Sequence, residues 1–184
     1  MRKLIVSEWI TLDGVFDADR MGEWFMPYFG EAKAAYIQDC HNTCDSMLFG
    51  RKTYEMLAPY WSTKKNNEDG VADKLNSVPK YVVSTTLEKA DWNNSTIISK
   101  NVEEEITRLK EMPGKEIMLE GSAELVKALA KADLVDEYRF MLHPIILGSG
   151  KRFFIDDFQA SGLKLVKTQQ LDAGVIVLYY QREK

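Results

Sequence analysis

The chain has 184 residues, of which 45% are apolar, 11% aromatic and 28% charged, a globular composition that excludes a disordered, collagen-like or low-complexity polypeptide. Its 24 Lys and Arg against 28 Asp and Glu leave a net charge of −4, without the basic footprint of a nucleic-acid binder. No apolar run approaches the roughly 20 residues that span a bilayer, and Met1–Glu8 turns polar too soon for a signal peptide.

Alternating strands and helices follow in order. Leu4–Ile10, rich in β-branched residues, is a strand ending at the turn pair Asp13-Gly14. Gly30–Cys44 is a helix, and Met47-Leu48-Phe49 a short buried strand stopping at Gly50. Arg51–Ala58 is a helix broken before Pro59, because proline cannot supply a helical N–H. Lys80–Ser84 and Ser95–Ser99 are strands, and Val102–Met112 is a helix closed by Pro113-Gly114. Glu116–Glu120 is a strand, and Ala123–Ala132 an amphipathic helix with Leu125, Val126 and Leu129 on one side. Glu137–Ile146, Leu163–Leu171 and Val175–Gln181 are three more strands, the last two joined by the short turn Asp172-Ala173-Gly174. Alternation followed by an antiparallel ending predicts a mixed α/β sheet with helices on its faces. No linker or repeat marks a boundary, so residues 1–184 are expected to form one domain.

Sites in such sheets form where strands hand over to helices at their carboxyl ends. At Gly50-Arg51-Lys52-Thr53, a glycine before a helix lets a phosphate approach the backbone; Arg51 could grip it bidentately and Thr53 could donate a hydroxyl. A plain strand-to-helix turn with a solvated arginine explains the same residues. Ser84-Thr85-Thr86 offers three hydroxyls at a strand end, for ribose or phosphate or for an ST-turn. In Glu120-Gly121-Ser122, Gly121 opens a helix on which a pyrophosphate could sit, while Ser122 is equally an N-cap. Glu120, at the end of an inner strand, needs a partner or a ligand. Ile145–Phe154 carries two glycines and two basic residues in what reads as a surface turn.

The chain has no Gly-x-Ser-x-Gly elbow, no Walker loop and no paired Cys-x-x-Cys. Cys40 and Cys44 form no disulfide framework and read as buried structural cysteines of a reduced, cytoplasmic protein, with His41 turned away from them and no metal expected. His143, before Pro144, reads as a satisfied strand histidine. Trp9, Trp24, Phe25, Tyr28 and Phe29 read mostly as core, with the option of walling a flat ring.

Taken in order, Ser7 through Thr11-Leu12-Asp13-Gly14, Leu48–Glu55, Val82-Val83-Ser84, Leu119–Ser122 with Leu125 and Leu129, Leu134–Glu137 and Pro144–Gly150 resemble the dihydrofolate reductase-like superfamily. The closer resemblance is to the reductase domain at the C-terminus of the bifunctional riboflavin-biosynthesis deaminase–reductase. It implies a three-layer α/β fold, with a mostly parallel sheet and an antiparallel C-terminal strand, and NADPH as hydride donor. It implies that Gly50, Arg51 and Thr53 hold the adenosine-phosphate side of the cofactor. Ser84 and Thr85 would flank the 2′-phosphate and adenine, and Gly121 and Ser122, with Leu125 behind them, would meet the pyrophosphate. Glu120 matches a substrate-contacting carboxylate, and Asp13 resembles a residue at the nicotinamide or substrate mouth; the candidate proton donors are Glu120, Asp13 or a bound water, in that order.

Three features depart from the pattern. The acidic helix residue that holds a pterin in dihydrofolate reductases falls near Ala34 and is not matched, with Glu31 a turn earlier. Ser122 replaces a frequent second glycine. The zinc signature of the deaminase half does not occur. The resulting expectation is an NADPH-dependent reductase of a small-molecule substrate: a pteridine, a pyrimidine ribosylamine or a carbonyl or imine. It would act like a 5-amino-6-(5-phosphoribosylamino)uracil reductase and form a homodimer, with neither nucleic acid nor membrane as partner. The competing readings are a non-catalytic NADP(H)-binding protein and a structural homodimer with a vestigial pocket, to which the apolar strand Tyr138–Leu142 could contribute.

Overall fold

The computed structural model describes residues 1–158 and 162–183. Eight strands form one sheet: β1 (Leu4–Thr11), β2 (Cys44–Gly50), β3 (Lys80–Val83), β4 (Ser95–Ile98), β5 (Glu116–Leu119), β6 (Glu137–His143), β7 (Leu163–Gln170) and β8 (Ile176–Arg182). Their order is β4-β3-β2-β5-β1-β6-β8-β7. All neighbours from β4 to β6 pair in parallel, and only β8 runs against its two neighbours. This is the expected mostly parallel sheet with an antiparallel C-terminal strand.

Six helices accompany it: α1 (Met21–Trp24), α2 (Glu31–Thr43), α3 (Arg51–Trp61), α4 (Ala72–Ser77), α5 (Val102–Glu111) and α6 (Ala123–Lys131). Leu4, Ile5 and Val6 are all fully buried, as a central parallel strand covered on both faces requires. Alternate residues then feed two cores. On one face Phe49, Met118 and Met141 pack with Tyr36 and Cys40 of α2, Tyr54 of α3 and Leu75 of α4. On the other, Leu4, Val6, Leu48 and Leu119 pack with Ile106 and Leu109 of α5 and Val126 and Leu129 of α6. The result is three layers, helix on sheet on helix.

Several boundaries differ from the sequence expectation for identifiable reasons. Helix α3 runs through Pro59 to Trp61. A proline in the last turn forfeits only one bond, and here both Pro59 and Glu55, whose carbonyl it would have met, are exposed. Strand β6 stops at His143 rather than Ile146, since Pro144 has no N–H to give an interior ladder. Helix α2 ends at Thr43, so Cys44 begins β2. Helix α4 was hidden by its length of six residues, although it buries Ala72 and Leu75. Because β6 lies between β1 and β8, Tyr138–Leu142 is not a free edge for a second chain; the sheet's edges are β4 and β7. Among the described residues, no helix is long and apolar enough to cross a membrane.

Leu119 is fully buried one residue before Glu120. Leu119→Ala is expected to cost about 2–5 kcal/mol through lost burial and a residual cavity. Urea unfolding should show this as a lower midpoint at unchanged slope, and a loss below about 1 kcal/mol would contradict the packing described.

Candidate active site

The parallel order β3-β2-β5-β1 brings four strand ends to one edge of the sheet. Gly50 pairs with Val83 and Leu48 with Leu119, so the turn after β2 stands between the turns after β3 and β5. The Gly50 N–H donates to the Gly121 carbonyl at 2.9 Å. A Cβ on Gly50 would lie 2.7 Å from Ser122 Oγ and 3.0 Å from Ser122 N, and one on Gly121 would collide with Thr53 Oγ1. Gly121 also has φ +57°, in the left-handed region that favours glycine, and the Gly121–Ser122 peptide is cis. The two glycines are therefore needed first for the turns to interlock with each other, and Thr53 packs against Gly121.

This interlock sets the start of α3 beside the start of α6. Among the described residues, neither Gly50 nor Ser122 caps its helix through a side chain. First-turn amides of two helices, of 11 and 9 residues, are thus uncapped side by side. Such N-termini carry partial positive charge and favour an anion. Arg51 opens α3 at the surface, its guanidinium 2.8 Å from the Glu55 carboxylate one turn on. Ser84 Oγ accepts from the N–H groups of Thr86 and Leu87 at 3.1 and 2.9 Å, which is the ST-turn, and leaves Thr85 exposed. Leu125, in the first turn of α6, faces the core.

Beside this cradle stand two carboxyl groups. Glu120 directs Oε1 to within 3.2 Å of Nε2 of His41, a buried residue of α2. Glu8, near the middle of β1, is buried, and its Oε1 accepts from Gly121 N–H at 2.5 Å. Burial pushes the Glu8 carboxyl up to about 8; the Gly121 amide opposes the shift and the Glu120 charge adds to it. Glu8 is therefore a neutral acid at pH 7. Sequence reasoning passed over it, yet a signal was present: Leu4, Val6, Glu8 and Ile10 share one face of a strand at period two, and the other three are core.

Asp13 has a different task. It accepts from Thr11 Oγ1 at 2.7 Å, Gly148 N–H at 2.9 Å and Leu147 N–H at 3.2 Å. The Thr11 hydroxyl, with the two amides, holds the carboxyl down at about 2. Asp13 thus stays ionised and fastens the turn after β1 to the 145–150 loop; it has no proton to give near neutral pH.

On α2, both Ala34 and Glu31 are exposed, and the charged group facing inward near them is Lys33. Its Nζ donates to Phe25 O at 2.9 Å, lies 2.8 Å from His143 Nε2 and sits 3.4 Å from the centre of the Phe25 ring. Burial pulls Lys33 down to about 7, and burial together with Lys33 pulls His143 down to about 4. Neutral His143 gives its Nδ1 hydrogen to Ile10 O, so this histidine is satisfied as expected. Trp24, Phe25 and Tyr28 pack edgewise or tilted around it. Cys40 and Cys44 are buried free thiols, both pushed up by burial and so poor nucleophiles.

The sequence model of the RibD C-terminal domain matches residues 2–177. The chain belongs to the RibD C-terminal domain family. It is 36% identical to the uncharacterized protein YyaP of Bacillus subtilis, over 97% of this chain and 94% of that one. Its fold is similar to the deaminase/5-amino-6-(5-phosphoribosylamino)uracil reductase of Thermotoga maritima (TM-score 0.69, 15% identity), covering 99% of this chain and 57% of that one. It is also similar to the dihydrofolate reductase of Enterococcus faecalis, solved in complex with NADP(H) (TM-score 0.64, 13% identity), covering 99% of this chain and 97% of that one. The fold is thus dihydrofolate reductase-like, and these two structural relatives are reductases.

Two outcomes follow from the geometry. Gly121→Ala should destabilise the RibD C-terminal fold by about 1–3 kcal/mol, from the left-handed backbone and the clash with Thr53. Adding Thr53→Ala should recover part of that loss, and strict additivity of the two changes in urea unfolding would refute the interlock. Glu8→Gln keeps the shape and removes the ionisation. Folded Glu8 keeps its proton up to about pH 8, whereas an unfolded glutamate releases its own near the ordinary 4.5. Between those values the native state binds more protons, so the wild type loses stability as pH rises and Glu8→Gln does not. Glu8→Gln should therefore gain stability relative to the wild type from pH 5 to pH 8, and a difference constant across that window would contradict the burial of a neutral acid.

Proposed function

We propose that the protein is an NADPH-dependent reductase of a small, flat or sugar-bearing substrate. The observation that carries this reading is the pair of uncapped helix N-termini, brought together by the Gly50–Gly121 interlock beside Glu8 and Glu120. These residues fit NADPH. The first-turn amides of α3 and α6, with Ser122, would hold the pyrophosphate. Arg51 would leave Glu55 for the 2′-phosphate, and Thr85 and Ser84 would flank the adenosine side. NADPH supplies the hydride when bound. The protein's own task is to orient the substrate against Glu120, exclude water and supply a proton.

Among the substrate classes, the site favours a pyrimidine ribosylamine or another carbonyl or imine compound over a folate. No carboxylate occupies the inward face of α2 among the described residues; the ionisable groups buried there are Lys33, Tyr36, Cys40 and His41. The same reading includes a homodimer. A depression of about 470 Å3 beside β6 and β8, lined by Phe140, Leu142, Phe154, Leu178 and Tyr180, leaves an apolar surface that a second copy would cover. Light scattering that reads a single-chain mass would overturn this.

Arg51→Ala should weaken NADPH about tenfold or more, the scale of a lost charge-assisted phosphate contact, while leaving NADH nearly unchanged. Equal losses for both in calorimetry would refute the 2′-phosphate role. The reductase reading itself is tested by NADPH oxidation against pyrimidine ribosylamines, pteridines and small carbonyls. Tight binding with no oxidation would replace it with the non-catalytic NADP(H)-binding protein.

A further inference from the structure

The ring of His41 is bounded by oxygen on both sides. Its Nδ1 lies 2.7 Å from the carbonyl oxygen of Ile37, which can only accept, so Nδ1 carries a hydrogen. A neutral imidazole has only one N–H, and that one is now used. Its Nε2 would then present a lone pair to Glu120 Oε1 at 3.2 Å, and a carboxylate oxygen also presents lone pairs. The contact is satisfied only when one more proton lies between the two atoms.

We propose that His41 and Glu120 hold one shared proton, and that this proton completes the reduction, with Glu120 as the catalytic residue and His41 as the positioning residue behind it. The proposal rests on the reductase reading and adds the proton source that reading lacks. Accessibility sets the direction of transfer. The His41 side chain is 7% exposed and that of Glu120 is 20% exposed, so Glu120 is the half of the pair that a substrate can reach. Glu120 also adjoins the Gly121–Ser122 turn of the proposed cofactor cradle. Asp13 is tied down as a permanent carboxylate, and Glu8 is turned into the Gly121 amide, so neither competes for this task.

The surroundings decide where the proton rests. Burial disfavours a charged His41, and Lys74 of α4 disfavours it further; Glu120, by charge and hydrogen bond, and the Ile37 carbonyl outweigh both, so His41 titrates above its ordinary value. The other ionisable groups facing the pair are Glu8 of β1, held neutral, and the thiol of Cys44 in β2, held protonated. These surroundings favour Nε2 as the resting place of the proton.

In the chemical step, a C=N or C=O carbon of the substrate accepts a hydride, and its former π-electron pair moves to the heteroatom. The heteroatom takes the proton through Glu120 as His41 Nε2 releases its own. The products are the amine or alcohol and the oxidised nicotinamide, with His41 neutral, Glu120 ionised and one proton to be regained from solvent.

The chain has only two histidines, which makes the test direct. The 15N shifts of both imidazoles are followed with pH in the ligand-free protein, in the wild type and in Glu120→Gln. We expect one ring, His41, to carry hydrogens on both nitrogens at pH 7, with a midpoint above the ordinary histidine value of about 6.5. In Glu120→Gln that midpoint should move to lower pH, the acidity constant rising at least tenfold. A His41 midpoint at or below the ordinary value, or one that ignores Glu120→Gln, overturns the shared proton. For turnover, His41→Asn should lower kcat at least tenfold with NADPH affinity unchanged, and should remove the fall in kcat above the His41 midpoint. Should His41→Asn fail to fold, Glu120→Gln, altered at a half-buried position, carries the same kinetic comparison. NADPH oxidation alongside a His41 titration indifferent to Glu120 refutes the pair and leaves the reductase reading standing. A shared proton without oxidation of NADPH by any substrate class refutes proton delivery together with that reading.

Discussion

The hydrogen bond from Gly50 N–H to the Gly121 carbonyl is the contact on which the site depends. It forms because β2 and β5 are parallel neighbours in register, and it closes only because neither glycine has a Cβ to push the turns apart. From that approach follow the adjacent starts of α3 and α6, the seat of Thr53 against Gly121, and the Gly121 amide aimed at Glu8. A substitution at either glycine disturbs all of these together, so what looks like a flexible ligand loop is a packed junction between two strands.

The second constraint is electrostatic. The protein buries Lys33, Lys80, Lys110, Arg139, Glu8 and His41, and resolves each in its own way. Lys80 and Lys110 donate to backbone carbonyls, and Arg139 bridges Glu137 and Glu116. Lys33 is drawn towards neutrality over an aromatic ring, beside a histidine already neutral. Glu8 is held neutral, and His41 is pushed above its ordinary value by Glu120 against the opposing effect of burial. The amino-end network around Arg139 is structural, since its charges are paired within the protein. The groups near the carboxyl ends carry shifted ionisations instead, so charge is handled differently at the two ends of one sheet.

Legibility in the sequence followed length and locality. Strands with several adjacent β-branched or apolar residues, and helices of nine residues or more, could be read, because their patterns repeat within the element. The short helix α4 and the turns around Ala18–Tyr28 could not, since a turn or two of helix carries no period and is held by tertiary contacts. The glycine-bearing turns at Gly50 and Gly121 stood out, but the sequence could not show that each glycine serves the other. Ser84 illustrates the same limit: its hydroxyl could equally have met a ligand or its own backbone, and the local ST-turn took it.

By itself, the sequence determined the mixed α/β architecture, the family resemblance and the position of the glycine-bearing turns after β2 and β5, because these are written in local periodicity and in glycine placement. Only the tertiary structure decided the charges. Whether Glu8, Asp13, Lys33 and His41 are neutral or ionised depends on burial and on partners up to 135 positions away in the chain, as with Asp13 and Gly148. Desolvation and hydrogen bonding act through space, so no reading along the chain could have told the tethered Asp13 from the proton-bearing Glu8.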